Sequence, residues 1–81
     1  MEKKFRLINN SSKELPNNIE AEQAVIGSIL LNNETFDEIS IILTSKNFHD
    51  PMHIKIYTAI EKLIYGGLLA NPITLKNHFE N

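Results

Sequence analysis

The stretch from Asp50-Pro51 to Gly66-Gly67 constrains this chain more than any other feature. Asp is a good helix N-cap, and Pro suits the first helical position, where its missing N–H costs nothing. Gly readily takes the left-handed backbone that closes a helix. Between these signals Met52, Ile56, Ala59, Ile60, Leu63 and Ile64 form one broad apolar stripe at helical spacing. Lys55, Thr58, Glu61 and Lys62 lie opposite, while Ile54 and Tyr65 fall on the polar side on nearly the same bearing. Such a stripe must be buried against something, and an 81-residue chain has room for one modest core.

The remaining segments supply its partners. A helix is expected from about Asn18 to Leu31, opened by a capping box of Asn17 with Glu20. Its apolar arc is Ile19, Val25, Ile26, Ile29 and Leu30, with Glu22 in the same arc and Ala24, Gly27 and Leu31 on the other flank. Gly27 costs about 1 kcal/mol relative to Ala inside a helix, which suggests close approach of a neighbouring helix or chain. A short helix follows, about Glu34 to Leu43, burying Phe36, Ile39, Ile42 and Leu43 and leaving Ile41 on its polar side. Phe48 is expected to tuck under the connector at 44–49. After the glycine pair, Thr74 reads as the N-cap of a fourth helix that buries Leu75 and Phe79. No stretch fits the two-residue period of a strand better. The expected fold is all-α, a small orthogonal bundle of about four helices with the last one cut short. Residues 1–16 read as a flexible N-terminal arm and 17–81 as the helical domain.

Composition narrows the chemistry. No cysteine is present, which excludes a disulfide scaffold, a thiol nucleophile and a cysteine zinc site. No apolar run approaches the roughly 20 residues of a membrane span, and Met-Glu-Lys-Lys does not open a secretory signal. A cytoplasmic protein with no membrane contact is expected. With three glycines there is no phosphate loop, so no nucleotide cofactor is expected. His49 and His53 are four apart, but Pro51 between them breaks their shared helix face. His53 reads as a packed imidazole, and no catalytic or metal residue is assigned. Residues 1–14 carry a net charge of +2 and residues 15–81 carry −4. An acidic body is a poor surface for nucleic acid, whose binding draws on phosphate neutralisation. Glu22 is the acid that stands out, because burying a carboxylate is expensive unless it is paired. It serves either as a local bond to a helix start or a lysine, or as a polar anchor that fixes packing against a neighbour.

Three stretches together carry a resemblance. They are residues 15–27, Leu-Pro-Asn-Asn-Ile-Glu-Ala-Glu-Gln-Ala-Val-Ile-Gly; residues 48–57, Phe-His-Asp-Pro-Met-His-Ile-Lys-Ile-Tyr; and residues 71–79, Asn-Pro-Ile-Thr-Leu-Lys-Asn-His-Phe. In order and spacing they resemble the N-terminal domain of DnaB-type bacterial replicative DNA helicases, over about residues 15–81. The resemblance implies a helical collar domain of a hexamer, which pairs with neighbouring helicase subunits and helps bind the primase. It places ATP hydrolysis and DNA translocation in a separate RecA-like domain, none of whose catalytic positions occurs in these residues. It also implies a domain with further helices, so the chain reads as a partial, truncated version.

Two functions follow as expectations. One is an N-terminal helicase fragment acting in DNA replication through self-association and primase contact, without catalysis or direct nucleic-acid binding. The other is a standalone helical adaptor, related in architecture to the primase's helicase-interaction domain. For either, the candidate interface residues are Ile41, Ile54, Tyr65 and Glu22.

Overall fold

The computed structural model describes residues 18–80. They form four α-helices: α1 (Ile19–Leu31), α2 (Thr35–Ile42), α3 (Pro51–Tyr65) and α4 (Pro72–Glu80). A single 3-10 turn, Ser45–Asn47, joins α2 to α3. The fold is all-α, with no strand among the described residues. Asn17 and the expected arm lie outside them.

Helix boundaries follow side-chain oxygens that satisfy the otherwise orphaned first N–H groups. Asn18, not Asn17, caps α1: its Oδ1 accepts from the N–H of Glu20 at 2.8 Å and of Ala21 at 3.1 Å. Asp50 caps α3 as expected, accepting from Met52 and His53. The far end of α3 closes as a Schellman motif: Leu68 N–H bonds back to Leu63 and Gly67 N–H to Ile64. Gly67 takes φ +82°, the conformation that makes glycine necessary there. The fourth helix starts three residues earlier than expected. Asn71 is its cap, accepting from Ile73 and Thr74, while the Thr74 hydroxyl accepts from the Asn71 N–H. This reciprocal pair is a capping box in which Thr74 is the third helical residue rather than the cap.

Helix α3 is the hub, packing against α1, the 3-10 turn and α4, while α1 also contacts α2. The core joins Ile26 and Ile29 of α1, Phe36 of α2, Leu43 and Phe48 of the connector, Tyr57, Ala59, Ile60 and Leu63 of α3, and Ala70 and Leu75. Tyr57 sits at its centre. Its ring lies 4.8 Å from that of Phe48 and 5.9 Å from that of Phe36, and its hydroxyl donates to the Leu43 carbonyl at 3.1 Å. That bond satisfies a hydroxyl that would otherwise be costly to bury. Met52 and Phe79, expected inside, are exposed, as is Ile19. Each lies in a first or last turn, where the helix runs past the edge of the core.

Asn33 staples the two ends of the chain's fold together. Its side-chain amide donates to the carbonyls of Ile29 and Ala70, and its Oδ1 accepts from the Ala70 N–H. One side chain thus binds the last turn of α1 to the loop that enters α4.

Candidate interaction faces and the Glu22 clamp

The early position of Glu22 on the inner side of α1 aims its carboxylate at the start of α3. Oε2 accepts from the His49 N–H at 2.7 Å, and Oε1 accepts from the Asp50 N–H at 3.2 Å. His53 Nδ1 lies 2.8 Å from Oε1. An ionised carboxylate only accepts, so the Nδ1 nitrogen carries the proton. The group is 1% exposed. Burial alone would raise its pKa. The bonds from His53 and from the two backbone N–H groups outweigh that and hold it below the ordinary 4.5. The positive end of the α3 dipole favours the same charged state.

This arrangement is a clamp rather than a catalytic dyad. A general base needs a reachable proton and a free lone pair. Here three donors from its own fold occupy the carboxylate, and solvent does not reach it. Of the two roles open for Glu22, the structure displays the bond to a helix start. Glu22 faces the interior of the domain, unlike the exposed candidates Ile41 and Tyr65. His53 is buried as expected, and its ring is held by the Glu22 carboxylate. Glu22 and His53 are 31 residues apart in sequence, so no spacing rule points to their meeting. The only signal was the shared anomaly of two polar residues lying on apolar arcs.

The other candidates separate. Ile41 is 84% exposed on α2, and Tyr65 is 73% exposed at the end of α3. The Tyr65 ring meets the buried Phe36 ring of α2 edge-on at 5.5 Å. Ile54 is half-buried and packs on the core instead of pointing outward. Leu31, 91% exposed at the end of α1, is the most exposed large apolar residue among the described residues. Its spacing places it on the outer flank of its helix, and it is not among the candidate interface residues.

Glu61 behaves differently from its sequence neighbours on the polar side of α3. It is half-buried, and burial raises its pKa. Among the described residues no hydrogen bond or ion pair is made by its carboxylate. The described residues contain no group of three or more His, Cys, Asp or Glu that could hold a metal ion. None of their helices is long and apolar enough to cross a membrane.

The sequence profile of the DnaB-like helicase N-terminal domain matches residues 14–81. The chain belongs to this family. Among curated proteins, this DnaB-like domain is 51% identical over 63 residues to the replicative DNA helicase DnaB of Rickettsia felis, covering 78% of the chain and 13% of the relative. It is 46% identical over 67 residues to that of Rickettsia bellii, covering 83% and 14%. It is 36% identical over 80 residues to that of Buchnera aphidicola subsp. Baizongia pistaciae, covering 96% and 17%. The chain therefore spans about one-seventh of the length of these relatives. No solved structure matches it significantly. The Glu22 clamp and the Asp50 cap both lie inside the matched DnaB-like region.

Proposed function

We propose that this domain is an assembly module of a replicative DNA helicase in DNA replication, pairing with helicase subunits and contacting the primase without performing chemistry itself. Membership of the DnaB-like N-terminal domain family carries the reading. The relatives' name, replicative DNA helicase, supplies the process. The physical support is a closed core that leaves large apolar side chains outside: Leu31, Ile41 and Tyr65. Single exposed apolar residues are commonplace on soluble proteins. Three of them on the rims of α1, α2 and α3 offer an association surface whose contacts are made at no cost to the core. Ile54 contributes at most its outer edge.

Substituting Asp for Ile41 or Tyr65 tests this, since neither side chain is buried. Far-UV circular dichroism should be unchanged. Binding to the purified helicase N-terminal collar, or to the primase of the same cell, should weaken at least tenfold, a loss of about 1.4 kcal/mol. Full retention of both interactions by the Ile41→Asp, Tyr65→Asp double variant would remove this surface from the assembly. Loss of binding to the primase alone would favour the adaptor role.

A further inference from the structure

The first half of α1 is held to the molecule by one side chain. Of residues 19–24 only Glu22 is buried; Ile19, Glu20, Gln23 and Ala24 are exposed and Ala21 is half-buried. The apolar anchors of the helix, Ile26 and Ile29, come later, with Val25 packed on the rim of the core. Asn18 and Ser28 make their side-chain hydrogen bonds inside α1 itself. The Glu22 carboxylate thus carries the hydrogen bonds that tie this half of α1 to the rest of the described fold. Gly27 follows soon after, where no close neighbour calls for a glycine and where it weakens the helix.

The place that the carboxylate occupies is built entirely by other residues. The N–H groups of His49 and Asp50 and the Nδ1–H of His53 converge on its two oxygens at 2.7, 3.2 and 2.8 Å. The Asp50 side chain caps the next two N–H groups, those of Met52 and His53. The two carboxylates therefore divide the donors at the start of α3 and compete for none. Backbone N–H groups and the helix dipole favour an anion there. The buried imidazole adds a third donor from the interior side, so the site is more than a bare helix end. No donor comes from α1, and the site is complete without it.

We propose that residues 19–24 form a latch that opens separately from the core, and that the start of α3 beneath it is a receptor for a carboxylate, which Glu22 fills from within the chain. The tether favours Glu22 over any dilute competitor. An outside carboxylate takes the same three donors once Glu22 leaves them. The proposal goes beyond the assembly role and does not depend on it.

Native-state hydrogen exchange on the full chain tests the latch without a mutation. Opening of residues 19–24 frees the His49 and Asp50 N–H groups at the same moment, although they lie 27 and 28 residues from Glu22. The amides of residues 22–24 and those of His49 and Asp50 should share one opening free energy, below that of Tyr57, Ile60 and Leu63. Simple fraying of α1 would leave amides 49 and 50 as protected as the core, and that result overturns the latch. One free energy for all of them overturns it too.

Formate tests the receptor. In Glu22→Ala it should shift the His49 and Asp50 amide resonances saturably and raise the melting temperature, since it binds the folded state alone. Where that variant is unfolded, formate should restore its helical circular dichroism. Chloride at the same ionic strength should do neither, and the wild type, whose site is filled, should gain nothing from formate. No response in the variant would overturn the receptor, as would an equal response to chloride or an equal response of the wild type.

Discussion

Glu22 shows what a single buried charge does to this fold. Its carboxylate is worth having only while ionised, because all three of its partners donate. Its folded pKa lies below the ordinary 4.5, so its stabilising contribution is complete above that value and is lost as pH falls through the folded one. Glu61 acts with the opposite sign: burial raises its pKa, so acid relieves its cost. The two partly offset each other in the wild type. Glu22→Gln keeps one acceptor oxygen but no charge, and should cost about 1–3 kcal/mol at neutral pH. Urea denaturation followed across pH 3 to 7 should show that deficit shrinking as the pH drops below about 4.5. A deficit that stays constant with pH would mean that the charge contributes nothing. The presence of Glu22 and His53 on apolar arcs was legible from residue spacing, but their mutual bond was not, since period reports direction and not partner. Tyr57 was missed for a related reason: its hydroxyl makes it ambiguous in a hydropathy pattern, whereas the structure finds that hydroxyl a carbonyl and buries the whole ring.

At the scale of the element, capping chemistry read from sequence located α3 to the residue, because Asp50, Pro51 and Gly67 each have one conformational use. It placed α1 and α4 less well. Asparagine is frequent at 17, 18, 32, 33 and 71, and any of these could cap; the choice is made by which one the packed helix axis leaves in reach. Gly27 illustrates the same limit. A close neighbour was the expected return for its flexibility, yet a Cβ built there meets nothing within 4 Å. Gly27→Ala should therefore stabilise the isolated chain by about 1 kcal/mol, through helix propensity and a less flexible unfolded state. Thermal unfolding measures this directly. If the domain assembles through that flank, the same variant will associate less well while melting higher, and the two readouts separate the two reasons for keeping glycine.

Over the whole molecule, stability is distributed unevenly. Helix α3 touches most of the fold, whereas α4 is nine residues long with Leu75 as its one buried residue. A helix of that length has little stability of its own. It is held through Leu75, its capping box and the Asn33 staple on Ala70. Native-state hydrogen exchange should find the amides of α4 opening with a lower free energy than those of α3. Asn33→Ala should widen that gap, removing about 1–3 kcal/mol from α4 protection because the Ala70 backbone groups lose their partner. Equal protection of the two helices would mean that the molecule opens as one unit. The all-α class was readable because a 3.6-residue period repeats through every apolar segment. The staple was not, since it joins residues 37 apart through a side chain that reads locally as a helix terminator.

The clamp between Glu22 and the start of α3 also orders events in time. On a ribosome the glutamate is made 31 residues before the histidine it grips. At about 5–20 residues per second that is a delay of roughly 2–6 s. Until then the Glu22 carboxylate lacks the donors that hold it in the finished fold, so the first helix has no native lock against α3.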